Sequence, residues 1–218
     1  MILQKLKQLK HRLKLAATHS FSKKDEFDPK VYDTKQFARP KAPYYALAAT
    51  ADKLLKPKSV VDVGCANGYT IEWWLKHGVK ADGIEGAAAA FRNMPAAVRK
   101  RVKRHDLRQP LPPGQAYELV VFTEVAEHIK PEYESTMLDN VVGLVGKYLL
   151  ISWSSHWDDF KGTVRQEHFN PRSRAYVIHR LTKLGLQFQP LLTDKINLKL
   201  KGKAAFSHWQ NNLLIFKR

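Results

Sequence analysis

The stretch VVDVGCANG, residues 60–68, decides the fold expected for this chain. Its β-branched first half predicts a strand, and the run YTIEWWLK at residues 69–76, which follows directly, predicts a helix. Gly64 and Gly68 lie in the loop between them, where a missing Cβ lets the backbone turn sharply and approach a ligand. The stretch therefore predicts a strand, a ligand-binding loop and a helix, in that order.

Strands and helices alternate along the rest of the chain. Six further strands are predicted, at residues 80–86, 101–107, 117–125, 148–154, 186–192 and 211–216. Helices are predicted in between, including one at residues 131–147 with Pro131 in its first turn and one at residues 170–185 with Asn170 as its N-cap. This alternation is typical of βαβ units, so we expect an α/β fold with a mainly parallel sheet and helices on both faces.

Three carboxylates lie in and after the glycine loop. The loop lacks the GxGxxG spacing of a dinucleotide site, and Asp62 would repel phosphate but would suit an ammonium group. Glu85 ends the second predicted strand, where an open α/β sheet places a carboxylate that receives two ribose hydroxyls. Asp106 ends the third, and we expect it to accept a hydrogen bond from an adenine amino group while the Leu107 backbone addresses the ring edge. A purely structural role for the three acids is the alternative.

In this order and at these intervals, the features resemble the class I S-adenosylmethionine-dependent methyltransferases. Their loop is commonly an acid followed by GxGxG, and Ala66 stands here in place of the middle glycine. From Lys58 to the C-terminus, the resemblance implies a Rossmann-like, doubly wound sheet of seven strands whose last strand is antiparallel and inserted beside the strand at 186–192. It also implies a set of residues that bind S-adenosylmethionine: Asp62, Gly64, Ala66, Gly68, Glu85, Asp106, Leu107 and Thr123.

The stretch TEVAEHI, residues 123–129, adds two carboxylates and an imidazole at the end of the fourth predicted strand. On a helix, Glu124, Glu127 and His128 would share one face. They could hold Mg²⁺ or Mn²⁺, with His168 as a fourth ligand, as in the ubiquinone-pathway O-methyltransferases and the methyltransferases of small-RNA 2′-hydroxyls, which this arrangement resembles. They could instead work without metal, with His128 as the catalytic base oriented by Glu124 or Glu127, or they could simply pack locally.

Residues 1–57 form a predicted basic extension and helical cap before a methyltransferase domain at residues 58–218. The first 24 residues contain no carboxylate, and an apolar stripe runs along one helical face: Ile2, Leu6, Leu9, Leu13 and Ala16. Such a helix is typical of a segment that lies on an anionic membrane, so residues 1–20 are expected to make peripheral membrane contact. Packing against the chain's own core or against a second subunit is the alternative.

The charge of the chain indicates its class of partner. Lys and Arg number 37 against 20 Asp and Glu, a formal net charge of +17, which favours anionic partners. One cysteine, Cys65, excludes an internal disulfide and a CxxC site. We expect a cytoplasmic location, peripheral at the inner face of a membrane if residues 1–20 bind lipid, because the sequence contains neither a long apolar span nor a secretory signal.

The acceptor is expected to be a hydroxyl on an anionic small molecule or on a saccharide- or lipid-linked compound. A ribose 2′-hydroxyl of RNA is the alternative, and a non-catalytic module that binds nucleotide or nucleic acid is a second one. Residues expected near the acceptor are aromatic or basic, although Trp153 is equally consistent with the core: Tyr44, Tyr45, Trp153, His156, Trp157, Lys195, Lys199, Lys201 and Lys203. The lysines are predicted to lie between the last two strands.

Overall fold

Seven strands form a single sheet in the computed structural model, which describes residues 40–155, 168–202 and 212–218. The strands are β1 (Ser59–Val63), β2 (Lys80–Glu85), β3 (Val102–Arg104), β4 (Tyr117–Thr123), β5 (Val145–Ser152), β6 (Gln187–Phe188) and β7 (Leu214–Lys217). The predicted N-terminal stripe, His156, Trp157 and Lys203 lie outside the described residues.

The strand order is β3-β2-β1-β4-β5-β7-β6. Strands β1 to β5 pair in parallel, whereas β7 runs antiparallel to both β5 and β6, between which it is inserted. The predicted doubly wound sheet with an antiparallel last strand is therefore confirmed. The order reverses at β1, which pairs with β2 on one side and β4 on the other, and ligands of open α/β sheets bind at the carboxyl ends of strands at such a point.

Helices cover both faces of the sheet. They are α1 (Ala42–Leu55), α2 (Tyr69–Lys76), α3 (Ala90–Asn93), α4 (Ala96–Arg99), α5 (Glu134–Gly143), α6 (Arg174–Lys183) and α7 (Pro190–Leu200). Successive residues of β1 point to opposite faces, so Val60 joins a core with α1, α2 and α7 while Val61 joins a core with α5 and α6. No helix among the described residues is long and apolar enough to cross a membrane.

The prediction for the C-terminal part was wrong in one element. The strand expected at residues 186–192 ends after Phe188, and α7 follows, so Lys195 and Lys199 lie on a helix. Pro190 occupies the start of α7, where its missing N–H costs nothing. Thr193, Ile196 and Leu200 of α7 are buried at helical spacing. The apolar run LQFQPLL therefore continues into an amphipathic helix, a pattern that a short window does not reveal.

Two helix boundaries also differ from the prediction. Ser173 caps α6, its hydroxyl accepting a hydrogen bond from the backbone N–H of Tyr176 at 3.2 Å, so Asn170 is not the N-cap. The helix expected at residues 131–147 ends at Gly143, and β5 already begins at Val145.

Candidate active site

The glycine loop between β1 and α2 has a left-handed backbone at three positions. The φ angles are +74° at Gly64, +48° at Ala66 and +68° at Gly68. A Cβ added at Gly64 would lie 2.3 Å from a methyl of Val125, and one at Gly68 would lie 2.3 Å from a methyl of Val98. Both glycines are thus required by their φ angle and by packing against the chain itself, whereas the sequence suggested close approach of a ligand.

Asp62, near the end of β1, is a buried carboxylate. It accepts a hydrogen bond from the Thr70 hydroxyl in the first turn of α2 and is 6% exposed. Burial raises the pKa of Asp62, the Thr70 hydroxyl offsets part of this rise and the charge of Glu85 adds to it, so that the pKa is raised to about 7. A positively charged group brought beside Asp62 would favour its ionised form, and the ammonium ligand predicted from the sequence is such a group.

Glu85, at the end of β2, is held by backbone N–H groups. Ala66 donates to one carboxylate oxygen at 2.8 Å and Ala87 donates to the other at 2.7 Å. Burial raises the pKa of Glu85 above its usual value, and these N–H groups offset part of the rise. Each carboxylate oxygen has a second acceptor site, so the group can still receive two hydroxyls. Glu85 therefore ties the left-handed residue of the glycine loop to the position predicted for ribose.

Asp106, just after β3, is paired with an arginine that the sequence analysis did not single out. The Arg108 guanidinium donates to both carboxylate oxygens at 2.7 to 3.0 Å. Burial alone would raise the pKa of Asp106, but the hydrogen bonds from Arg108 outweigh it and lower the pKa. An adenine amino group would have to share this carboxylate with Arg108, so the predicted adenine contact stays a prediction.

Asn140 of α5 holds the segment that follows Asp106. Its amide nitrogen donates to the carbonyls of Leu107 and Gln109 at 3.0 and 2.8 Å, and its amide oxygen accepts from the Leu111 N–H at 2.6 Å. Asn140 is not among the residues predicted from the sequence. The signal that could have found it is a buried asparagine on an otherwise apolar helix face, since buried polar groups require partners.

The stretch TEVAEHI does not form the α-helical face that its spacing suggested. Glu124 precedes a 3₁₀ turn at Ala126–His128 and has a φ of +55°, a left-handed conformation that costs a non-glycine residue roughly 1–2 kcal/mol. The Glu124 N–H donates to the Ser152 hydroxyl at 3.0 Å, and that hydroxyl donates to the Glu124 carboxylate at 2.7 Å. The end of β5 thus holds Glu124 in a strained conformation of the kind that clusters at functional sites.

Glu127 is a fully buried carboxylate for which the described residues supply no hydrogen bond to either oxygen. Burial raises the pKa of Glu127 well above its usual value, and the negative charge of Glu124 raises it further. Backbone N–H groups of Glu127 itself and of Ser154 offset part of this rise. Glu127 is therefore poised to hold a proton or to meet a positive charge.

Glu127, His128 and His168 come together although His168 lies beyond β5 in the chain. One ligand atom from each lies within 4.8 Å of the others, and the two imidazole rings meet edge to face at 4.9 Å between centroids. Glu124, the fourth predicted member, does not belong to this cluster. The group offers one carboxylate oxygen and two imidazole nitrogens, which can move a proton or bind a cation.

The residues expected around the acceptor have different positions. Trp153 is buried, and its indole N–H donates to the Asn170 carbonyl at 2.6 Å, so it belongs to the core. Tyr44 and Tyr45 lie on α1 and pack toward α2. Thr123, which was predicted to bind the cofactor, ends β4 opposite Ser152 of β5.

A family model described as a methyltransferase domain matches residues 32–189, more than half of the chain. The chain belongs to this methyltransferase family. No curated protein matches the sequence. The predicted family and enzyme class are thereby confirmed, and the alternative of a non-catalytic module is not retained. The predicted division at residue 58 stays a prediction.

Solved structures show the same fold at low identity. The magnesium protoporphyrin IX methyltransferase from Synechocystis PCC 6803 with bound SAM is 17% identical, with a TM-score of 0.58 over 82% of this chain and 79% of its own. A SAM-dependent methyltransferase from Archaeoglobus fulgidus is 16% identical, with a TM-score of 0.59 over 84% and 97%. The methyltransferase domain of bacterial CtHen1-C is 12% identical, with a TM-score of 0.55 over 81% and 97%.

The residues of the methyltransferase fit S-adenosylmethionine, whose sulfonium supplies the methyl group. The buried Asp62 carboxylate suits the ammonium of the methionine part, and the spare acceptor sites of Glu85 suit the ribose hydroxyls. Both acids lie at the carboxyl ends of adjacent strands, next to the point where the strand order reverses.

Proposed function

We propose that this methyltransferase methylates a hydroxyl oxygen. The observation that carries the proposal is the cluster of Glu127, His128 and His168 at the carboxyl end of β4. A hydroxyl must lose its proton as the new bond forms, and an imidazole with a pKa near neutrality is the side chain best suited to accept it. The cluster is attached to the cofactor loop through the close packing of Val125 against Gly64.

In this proposal, His128 accepts the proton from the acceptor hydroxyl. Glu127 lies beside it as a buried acid whose raised pKa lets it donate or accept a hydrogen bond. Glu124 is anchored by Ser152 and contributes charge next to Glu127. Most of the remaining rate enhancement would come from orienting the hydroxyl, since methyl transfer requires alignment above all.

A metal is the second way in which the same cluster could activate a hydroxyl. The donor atoms already lie within 4.8 Å of one another, and a cation would supply the partner that the buried Glu127 carboxylate lacks among the described residues. The ion would act as a Lewis acid that orients and acidifies the hydroxyl. Two imidazoles and one carboxylate suit Mn²⁺ better than Mg²⁺, which prefers oxygen ligands.

The proposed acceptor is a small molecule, or a saccharide- or lipid-linked compound, that carries negative charge. The net charge of +17 supports an anionic acceptor, as do exposed lysines on and just after α7: Lys195, Lys199 and Lys201. Contact of residues 1–20 with an anionic membrane is the matching proposal for a lipid-linked acceptor. Deleting residues 1–20 should abolish sedimentation with anionic vesicles, and unchanged sedimentation would contradict it.

RNA is the second candidate acceptor, because a run of exposed basic residues follows the edge of the sheet. The run precedes and includes β3 and contains no acid: Arg99, Lys100, Arg101, Lys103 and Arg104. Within this run, Arg101 lies 3.6 Å from the Asp82 carboxylate. An RNA acceptor predicts binding that weakens steeply with salt, and weak, salt-insensitive binding would remove this candidate.

Product analysis tests the proposal directly. The wild type and the His128→Ala variant are incubated with methyl-labelled S-adenosylmethionine and a metabolite extract, and products are identified by mass spectrometry. His179→Ala, which removes an exposed histidine of α6, serves as the control. We expect an O-methylated product whose formation falls about 100-fold or more in His128→Ala and is unchanged in the control. A product methylated on nitrogen or carbon would contradict the proposal.

Chelation separates the two ways of activating the hydroxyl. If a metal acts, EDTA abolishes turnover and Mn²⁺ restores it better than Mg²⁺. Turnover that is unaffected by EDTA assigns the role to His128 as a metal-free base.

A further inference from the structure

Glu134, the first residue of α5, accepts hydrogen bonds from two parts of the chain. One carboxylate oxygen accepts from the amide of Asn170 at 3.1 Å and from the Arg172 guanidinium at 3.0 and 2.8 Å. The other accepts from the Tyr176 hydroxyl at 2.5 Å, with Arg180 at 3.6 Å. The Glu134 side chain is only 8% exposed. One buried carboxylate thus joins α5 to α6 and to the segment before α6.

The segment at residues 168–172 carries His168. Besides its contact with Glu134, it is hydrogen-bonded to the backbone of Glu127 in the proposed catalytic cluster. The N–H groups of Phe169 and Asn170 both donate to the Glu127 carbonyl, at 2.7 and 2.9 Å. The segment therefore lies between the backbone of Glu127 and the carboxylate of Glu134. Its position decides where the His168 ring lies relative to His128.

The groups that surround Glu134 favour its ionised form. Burial alone would raise the pKa of Glu134, but hydrogen bonds from Tyr176, Asn170 and Arg172 outweigh it, so its pKa is lowered and the group is ionised at neutral pH. Hydrogen bonds to a charged group are stronger and more directional than neutral ones, and the Arg172 guanidinium reaches its oxygen through two nitrogens. A neutral amide at position 134 would leave the two arginines without their carboxylate.

We propose that Glu134 is a positioning residue for the acceptor side of the site. Through Asn170 and Arg172 it holds the segment at residues 168–172 so that His168 stays beside His128 and Glu127. The inference rests on the proposed function in one respect, namely that His168 takes part in methyl transfer. The position of the His168 ring can be measured in the protein without substrate.

Two substitutions separate positioning from general stability. Glu134→Gln removes the charge that holds Asn170 and Arg172, whereas Tyr176→Phe removes only the bond to α6 and leaves that contact in place. Glu132→Gln removes an exposed carboxylate from the same turn and is the matched control. Should Glu134→Gln fail to fold, Arg172→Lys weakens the same contact by replacing the planar guanidinium with a point charge.

The direct readout is the nuclear Overhauser effect between the ring protons of His128 and His168, whose centroids lie 4.9 Å apart. We expect Glu134→Gln and Tyr176→Phe both to lower the urea midpoint of unfolding, but only Glu134→Gln to lose this effect. Binding of S-adenosylhomocysteine should be unchanged in all variants. An effect of wild-type intensity in folded Glu134→Gln, or its equal loss in Tyr176→Phe, would overturn the inference.

Turnover of the identified acceptor supplies a second readout. Displacing a group by about 1 Å from its working position can cost about 100-fold in rate, so we expect a loss of up to this size in Glu134→Gln and little change in Tyr176→Phe. Loss of the ring contact without loss of turnover would support the positioning role and contradict the role of His168 in the proposed function. Retention of both would overturn the positioning role alone.

Discussion

The cofactor side and the acceptor side of the site are held in different ways. On the cofactor side, Asp62 and Glu85 end neighbouring strands, and the bonds that hold Glu85 come from the backbone of Ala66 and Ala87. On the acceptor side, side chains from distant segments supply the support: Ser152 holds Glu124, and Glu134 holds the segment that carries His168. The first side is built by the sheet, and the second is assembled from loops by individual side chains.

This difference predicts which substitutions affect cofactor binding and which affect turnover. If this sheet edge forms the proposed binding surface, substitutions on the cofactor side should weaken cofactor binding. Substitutions on the acceptor side should slow turnover and leave cofactor binding intact. Gly64 and Val125 form a close contact between the two sides, where a substitution should affect both.

Replacing Glu85 with alanine should have the largest effect. The variant loses the acceptor of the Ala66 and Ala87 N–H groups, which is also the proposed acceptor for the two ribose hydroxyls. Because hydrogen bonds to a charged group contribute roughly 1.5–3 kcal/mol each, we expect affinity for S-adenosylhomocysteine to fall at least about 100-fold. Calorimetry measures this, with circular dichroism to check folding and Glu132→Gln as the control. Binding within tenfold of wild type would contradict the role of Glu85.

Replacing Gly64 with alanine tests the contact between the two sides. The left-handed φ of +74° and the Val125 methyl at 2.3 Å both oppose a Cβ, so we expect a loss of roughly 2–4 kcal/mol in the free energy of unfolding. Adding Val125→Ala should recover the steric part, about 1–3 kcal/mol, and leave the cost of the φ angle. Urea unfolding of the two single variants and the double variant measures this coupling. Additive effects would show that the two sides do not touch there.

Replacing Asp62 with asparagine should change how stability depends on pH. The Asp62 carboxyl titrates near 4 in the unfolded chain but at about 7 in the folded protein, so between these values the folded state binds a proton that the unfolded state has lost. The free energy of unfolding therefore falls as pH rises through this range, by up to about 1.4 kcal/mol per pH unit from this group. Asp62→Asn should flatten that slope. A slope equal to that of the wild type would contradict the raised pKa.

The sequence predicts the cofactor side better than the acceptor side for a physical reason. The strand, glycine loop and helix at residues 60–76 are local features that a short stretch of sequence predicts. Parallel pairing of β1 with β2 then places Glu85 beside the glycine loop. Asn140 remained undetected because its partners near Leu107 are reached only through tertiary packing. Arg108 pairs with Asp106 only two residues away, so this pair was within reach of a local pattern. Glu127, His128 and His168 were all singled out from the sequence, and the structure brings them together. Glu134, which bonds the segment that follows His168, was not found, because no short pattern marks it.

The errors in the prediction have similar causes. The spacing of Glu124, Glu127 and His128 suggested one α-helical face, yet the bonds to Ser152 favour a left-handed residue and a 3₁₀ turn instead. The helix α7 was read as the end of a strand because its first apolar residues directly continue β6. In each case, tertiary contacts outweighed a local preference.

The most direct test of the account is the binding of S-adenosylhomocysteine to His128→Ala and Glu85→Ala, measured by calorimetry side by side with the wild type. We predict that His128→Ala binds within about twofold of the wild type while its turnover falls about 100-fold or more, and that Glu85→Ala loses binding. Equal loss of binding in both variants would contradict the division of the site into a cofactor side and an acceptor side.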